Sequence, residues 1–207
     1  MADVATLRRQ CWLFAVGSSF FAIGTAPGFT AVAGAGATNV LCFAGSWFFT
    51  TAAWMQLRLS DRGTAWWSSA IQFAGTILFN VSTGASVWAH TVHGERRYVW
   101  APDATGSLAF LISGVLGVIV VGLWAPRSVD WQAEWINLAG CVAFGVSAVA
   151  AFVTKAGTTE DIGLANLGTF AGALCFLAAA LLILPGRRGL RPPTAHPPST
   201  APGPHRR

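Results

Sequence analysis

Two histidines and a carboxylate lie close together in a segment whose spacing suits metal binding. His90, His93 and Glu95 form the pattern His-x-x-His-x-Glu after a long apolar stretch. Imidazole and carboxylate groups together ligate zinc and other divalent ions. The competing interpretation is a solvated outer loop, because Arg96 and Arg97 sit alongside and nothing in the sequence fixes the loop conformation. We therefore assign no metal site and keep these three residues as a candidate only.

Four polar side chains interrupt the apolar stretches of the chain at similar predicted depth. They are Asn39, Asn80, Asp103 and Asn166. Polar groups are costly in lipid and tend to face the interior of a helix bundle, so these four predict a polar vestibule in the outer half of the membrane. Two alternatives stay open. Asp103 follows Pro102 and can cap the start of a helix, and hydrogen bonds between helices explain the asparagines equally well.

The remaining reactive groups do not combine into a catalytic set. Asp103 and Glu134 are the only carboxylates inside the apolar stretches, and they lie at opposite boundaries, which disfavours proton-coupled transport. The four cysteines contain no close-spaced pair and fall within apolar stretches, where a thiol behaves as a small apolar group. The sequence has no local motif of a catalytic serine or a phosphate-binding loop. We predict that the protein is not an enzyme and holds no cofactor.

The elements that must position these residues are membrane helices. The chain is 54% hydrophobic and 10% charged, whereas a soluble domain has about 25% charged residues. Most of its six apolar stretches have the length that spans a bilayer, and backbone groups without water must bond within a helix. The stretches cover about residues 10 to 27, 36 to 57, 66 to 89, 103 to 124, 131 to 154 and 162 to 184. The predicted fold class is an all-α polytopic membrane protein with six transmembrane helices.

The arginines predict which ends of these helices face the cytoplasm. Ten lie on one side of the six spans, namely Arg8, Arg9, Arg58, Arg62, Arg127, Arg187, Arg188, Arg191, Arg206 and Arg207, against Arg96, Arg97 and Lys155 on the other. Positive charge favours the cytoplasmic side, so both termini are predicted in the cytoplasm of a plasma-membrane protein. Because the basic residues lie at span ends, we predict no nucleic-acid partner. A signal peptide is the alternative for the first stretch.

Each apolar stretch contains one Gly-x-x-x-Phe pattern. The pairs are Gly17 and Phe21, Gly45 and Phe49, Gly75 and Phe79, Gly106 and Phe110, Gly140 and Phe144, and Gly172 and Phe176. Residues four apart share a helix face, so each glycine forms a notch beside a protruding ring. The pattern predicts three tandem helical hairpins, at about residues 8 to 60, 64 to 126 and 129 to 186. Helix packing is the main interpretation of the twelve residues, and a gate or pore lining is the alternative.

The chain has two predicted regions. Residues 1 to 186 form the membrane domain, and residues 187 to 207 form a disordered cytoplasmic tail, because that segment is rich in Pro and Arg and cannot bury a core. The expected partners are the lipid bilayer and a second copy or another membrane protein. The abundance of Ala, Gly, Arg and Trp suits a GC-rich bacterial genome.

The repeated stretches resemble membrane proteins of the YrhK-like family, whose short helix pairs carry an Asn or Asp, then Gly-Ser, then Phe. The similar stretches run over about 39 to 49, 72 to 82, 103 to 110 and 166 to 185, and Cys141 and Ala173 depart from the Gly-Ser pattern. The resemblance implies an architecture but no activity. We expect a structural or accessory, non-enzymatic role. The alternative is a small-solute or ion transporter or channel that uses the outer polar residues.

Overall fold

The computed structural model describes residues 4–88 and 91–185, and these residues form six long helices and no β-strand. The helices are α1 (Val4–Thr25), α2 (Phe29–Leu59), α3 (Thr64–Ala85), α4 (Val92–Val121), α5 (Val129–Ala150) and α6 (Ile162–Ile183). The all-α prediction is therefore confirmed. His90 and the predicted tail, residues 187 to 207, lie outside the described residues.

Four of the helices, α2, α4, α5 and α6, are long and apolar enough to cross a membrane. They indicate a multi-pass membrane protein. α1 and α3 have 22 residues each but are less apolar. In α3 part of the reason is a group of polar residues that pack inside the protein, such as Ser68, Ser69 and Thr76, which are buried.

The six helices close a ring in chain order. Each helix packs against its two neighbours along the chain, and α6 packs back against α1. Contacts are most extensive within the pairs α1 and α2, α3 and α4, and α5 and α6. A ring of this kind has a central axis, and side chains that face inward from all six helices meet there.

The glycines of the Gly-x-x-x-Phe patterns hold each helix pair together. A Cβ added at Gly75 would lie 2.8 Å from the Phe110 ring of α4, and one at Gly106 would lie 3.2 Å from the Phe79 ring of α3. The same reciprocal contact joins α1 to α2 through Gly17 and Gly45, and α5 to α6 through Gly140 and Gly172. An added Cβ would crowd the facing helix at all six positions, most severely at Gly140 and Gly172, so glycine lets the helix backbones approach closely where no hydrophobic effect drives them together.

The six phenylalanines of these patterns meet on the axis of the ring. Each is only 4–5% exposed, and together they form the centre of the buried core, the Phe cluster: Phe21, Phe49, Phe79, Phe110, Phe144 and Phe176. Their ring centroids are 4.9–6.4 Å apart in the contacting pairs, mostly edge to face. This geometry is favourable for aromatic rings. The core of the protein is therefore an aromatic plug across the ring.

α2 begins earlier than the sequence predicts. It starts at Phe29 rather than near residue 36, because the chain makes one helical turn before it kinks at Gly34. Gly34 has φ 83° and ψ 159°, a conformation that is essentially restricted to glycine. The Thr30 and Thr38 hydroxyls lie 3.0 Å apart across the kink and link the two parts of the helix.

α4 also begins earlier than predicted, at Val92 rather than at Asp103. The first part of the helix passes through a π-helical segment, Glu95–Trp100, in which the N–H of Ala101 donates to the carbonyl of Arg96. The wider π turn directly precedes Pro102, whose ring lacks an N–H and normally disrupts the helix before it. Pro102, which in the sequence predicts the start of a helix, therefore lies inside a longer one.

Candidate functional site

Two polar cavities lie on the axis of the ring, one on each side of the Phe cluster. The outer cavity has a volume of about 420 Å³ and lies where α1, α3 and α5 end. Phe21, Phe79 and Phe144, one from each of these helices, line it together with polar side chains from all six helices. The inner cavity, of about 210 Å³, lies at the opposite end, with Phe49 and Phe176 in its lining.

Three of the four predicted vestibule residues line the outer cavity. They are Asn39 of α2, Asp103 of α4 and Asn166 of α6. Asn80 is not in the lining: its Nδ2 donates to the Thr50 hydroxyl at 2.9 Å, which links α3 to α2. Its Oδ1 is buried without a hydrogen-bond partner among the described residues. The interhelical alternative therefore describes Asn80 and also applies to Asn39, which bonds to the Ser86 carbonyl at the end of α3. Asn39, Asp103 and Asn166 nevertheless line the same cavity.

Asp103 lies in the first turn of the α-helical part of α4, which begins at Ala101, but the π-helical turn before it continues the helix back to Val92 and no side-chain capping bond is present at Ala101. The Asp103 side chain is half-buried in the outer cavity lining. Within the described residues no Lys, Arg or His side chain forms an ion pair with it. An unpaired carboxylate inside a helix bundle is a feature of binding sites and ion pathways.

Most hydroxyl protons around the outer cavity are already used in hydrogen bonds. Thr25 donates to the Phe21 carbonyl at 2.7 Å, Thr83 donates to that of Phe79 at 2.6 Å, and Ser86 donates to that of Thr83 at 2.7 Å. A hydroxyl has one proton and two lone pairs, so these groups keep only acceptor capacity.

Other polar groups of the outer cavity also donate their protons to groups of the protein. Ser147 donates to the Ala165 carbonyl at 2.7 Å and lies 2.7 Å from the Thr169 hydroxyl, which must then be the donor of that pair. Asn39 Nδ2 donates one of its two N–H groups to the Ser86 carbonyl at 2.9 Å, so its Oδ1 and its second N–H stay available to a ligand. The Asn166 side chain makes no hydrogen bond with the described residues, so both its N–H donors and its oxygen acceptor are available to a ligand. Most hydroxyls of the lining therefore offer a ligand only acceptors, whereas the Ser82 and Thr159 side chains make no hydrogen bond with the described residues and keep their protons.

The inner cavity contains a chain of three glutamines. Gln10 of α1 donates to Gln56 of α2 at 3.5 Å, and Gln56 donates to Gln72 of α3 at 3.1 Å. Glu134 and Asn137 of α5 complete the polar lining. No ion pair of Glu134 occurs among the described side chains.

A small notch in α4 accommodates Glu134. A Cβ at Gly117 would lie 2.5 Å from Oε2 of Glu134, so the carboxylate rests against the backbone of α4. The sequence indicates that Glu134, Gln72 and Asn137 lie towards the inner side, but it does not connect them with Gln10 and Gln56. The signal from which this cluster could have been found is an amide near the same boundary in each of four helices, α1, α2, α3 and α5.

The Phe cluster closes the axis between the cavities. Three rings come from α1, α3 and α5 and three from α2, α4 and α6. A gap of only about 10 Å³ lies beside five of these rings, where Ser46 and Thr76 also line it. A water molecule needs roughly 10–15 Å³ of such space and two or more polar partners. At the Phe cluster the axis is therefore too narrow for a solute larger than water.

The metal candidate is only partly described by the structure. His93 lies exposed in the first turn of α4, and Glu95 contributes to the outer cavity. Among the described residues, no group of three His, Cys, Asp or Glu side chains has a metal-binding arrangement. Because His90 lies outside those residues, the three-ligand hypothesis stays a prediction.

Comparison of the chain with protein-family profiles, with curated proteins and with solved structures gives no match. The resemblance to YrhK-like membrane proteins therefore stays a prediction from the sequence motifs.

Proposed function

We propose that this protein conducts a small polar solute across the membrane along the axis of its helix ring, as a channel or transporter with the Phe cluster as its closed gate. The observation that supports this function most strongly is the pair of polar cavities on one axis, separated only by the six rings. Hydrophobic constrictions between wet vestibules gate pores by excluding water. Of the two roles that the sequence suggests, the geometry favours the transporter or channel over the structural or accessory one.

The proposal requires that all six helices cross the bilayer. The support is the ring itself: α1 and α3 lie between helices that are apolar enough to span, and their 22 residues cover about 30 Å. With the arginine-rich ends inside, the inner cavity faces the cytoplasm and the outer cavity faces the exterior of the plasma membrane.

The topology can be tested with single cysteines in a background without the four native ones. A cysteine at Asp61, in the α2 to α3 loop, should react with a membrane-impermeant maleimide only after the cells are opened, whereas one at Thr158 should react in intact cells. The reverse result would place the outer cavity in the cytoplasm. Labelling of both in intact cells would contradict the six-span topology.

Flux into liposomes tests the function directly. Purified protein in vesicles should speed the entry of at least one small solute from a panel of urea, glycerol, methylammonium, potassium and acetate, relative to protein-free vesicles. The Phe21→Ala variant should increase that entry, because it removes a ring of the gate. Absence of protein-dependent entry for both proteins across the whole panel would reject the transport function.

A structural or accessory role is the second candidate, and the reciprocal glycine and phenylalanine contacts favour it. Such interlocking makes a rigid body that can serve as a scaffold for a second copy or another membrane protein. Crosslinking in native membranes should then trap a defined oligomer or partner. If only the monomer is recovered, this role loses its support.

A further inference from the structure

We propose that the outer cavity binds a small cation that donates hydrogen bonds, of the ammonium or alkylammonium class, and that such cations are the solute of the proposed pathway. The claim that these cations are transported rests on the proposed function, whereas the claim that the outer cavity binds them does not. Three observations support the inference: Asp103 lines the cavity, free acceptors lie in the same lining, and the described part of that lining contains no basic side chain.

The charge of the cavities excludes an anion as the preferred ligand. Asp103 and Glu95 line the outer cavity and Glu134 lines the inner one, and neither described lining includes Lys, Arg or His. Arg96 directly follows Glu95 in the sequence. Its Nε donates to the Val153 carbonyl at 2.7 Å, and its guanidinium lies 5.3 Å from the centre of the Phe152 ring, so it is held against the α5 to α6 loop.

The direction of the hydrogen bonds distinguishes a donor cation from a neutral solute. Thr25, Thr83 and Ser86 have given their protons to backbone carbonyls, and Asn39 presents its oxygen. A ligand that brings N–H groups satisfies these acceptors, whereas a ligand that needs donors finds the Asn166 amide, the second N–H of Asn39 and the Ser82 and Thr159 hydroxyls. Charge-assisted hydrogen bonds from an ammonium group to Asp103 are also stronger than neutral ones.

The same argument discriminates between cations. Tetramethylammonium carries the same charge as methylammonium but has no N–H group, so it cannot use the acceptors. A cavity of about 420 Å³ has room for either ion, which makes size a minor factor. Tighter binding of methylammonium than of tetramethylammonium would therefore show that the acceptors of the lining, and not charge alone, select the ligand.

Binding is measured first, on the full chain in detergent at constant ionic strength, by calorimetric titration with methylammonium, tetramethylammonium and acetate. Methylammonium should bind at least about tenfold more tightly than tetramethylammonium, a difference of roughly 1.4 kcal/mol. Acetate should not bind. Asp103→Asn should weaken methylammonium binding about tenfold or more, because it removes the charge but preserves the shape.

Two matched variants control for folding and for general charge. Asp61→Asn makes the same chemical change in the exposed loop between α2 and α3, and its methylammonium affinity should equal that of the unmodified protein. Asp103→Glu keeps the charge and should retain most of the binding. Equal affinity of Asp103→Asn and the unmodified protein would overturn the assignment of the site.

Flux measurements then separate the two proposals. Methylammonium binding without entry of any solute would reject the transport function and keep the ligand class. Entry of glycerol or acetate without methylammonium binding would overturn the ligand class and keep the transport function. Methylammonium entry that falls in Asp103→Asn, with glycerol entry unchanged, is the result expected if both are right.

Discussion

The ring of Phe176 lies directly over Gly140: a Cβ added to this glycine would come within 2.7 Å of the ring. Real Cβ atoms essentially never approach so closely, and the ring is itself held on the axis by Phe144, Phe49 and Phe110. The packing of one helix pair and the closure of the axis therefore depend on the same contact.

Replacement of Gly140 by Ala should destabilise the protein, because the Phe176 ring cannot move without displacing its neighbours. Overpacking of a core typically costs about 1–3 kcal/mol. Thermal unfolding in detergent would show a lower midpoint. The matched control is Gly145→Ala on the same helix, where a Cβ meets nothing within 4 Å, so its midpoint should stay or rise. Equal midpoints for the two variants would contradict the close contact.

Truncation of Phe21 should open the gate between the cavities. Phe21→Ala removes a ring that contacts Phe49 and Phe144 in the plug, and solute entry into vesicles should rise. Phe20→Ala is the control, because Phe20 stacks on Phe48 beside the cluster and is not one of its members. A rise of similar size in both variants would indicate general destabilisation rather than an opened gate.

Loss of a hydroxyl at Ser68 should weaken the α3 to α4 pair. Ser68 and Ser113 each donate to the other's backbone carbonyl at 2.9 Å, so either Ser→Ala change removes one interhelical bond. We expect a loss of about 0.5–1.5 kcal/mol in the free energy of unfolding. Ser19→Ala removes only a bond to Ala15 within α1 and should change stability less. The opposite ranking would contradict this account.

Replacement of Gly34 by Ala should loosen the first turn of α2. The positive φ of this residue is costly for any side chain, by about 1–3 kcal/mol. Because the turn is largely exposed, the cost should appear as local opening, with amide exchange in residues 29 to 34 about tenfold faster or more. Gly36→Ala, in a regular helical turn with open space around it, should leave exchange unchanged or slower. Equal exchange in both variants would show that the kink carries no strain.

Local patterns predict some parts of the candidate site and miss others. Asn39, Asp103 and Asn166 are recognisable because a polar group inside an apolar stretch is exceptional, and the structure brings all three to one cavity. Asn80 is also a polar residue inside an apolar stretch, but it bonds to Thr50 because it faces the neighbouring helix rather than the axis. The rotation of a helix about its own axis, which decides between these outcomes, depends on its partners.

The glutamine chain and the start of α4 show a second limit. Gln10 and Gln56 are 46 residues apart and meet only because α1 and α2 run antiparallel. Pro102 predicts a helix start, yet the helix continues on its N-terminal side as a π-helical segment. In both cases a long-range contact or an irregular turn overrides the local preference of the residues.

Sequence by itself determined that this protein is helical, because hydropathy and the lack of water for backbone groups act on each segment separately. It predicted six membrane spans, and four of the six helices are long and apolar enough to be such spans. It also determined the six notches, since a glycine and a phenylalanine four residues apart share a face on any helix. Tertiary structure alone decided that the six rings meet on one axis and that polar groups face one another across two cavities. Those features depend on ring closure, in which α6 returns to α1, and no local pattern specifies that contact.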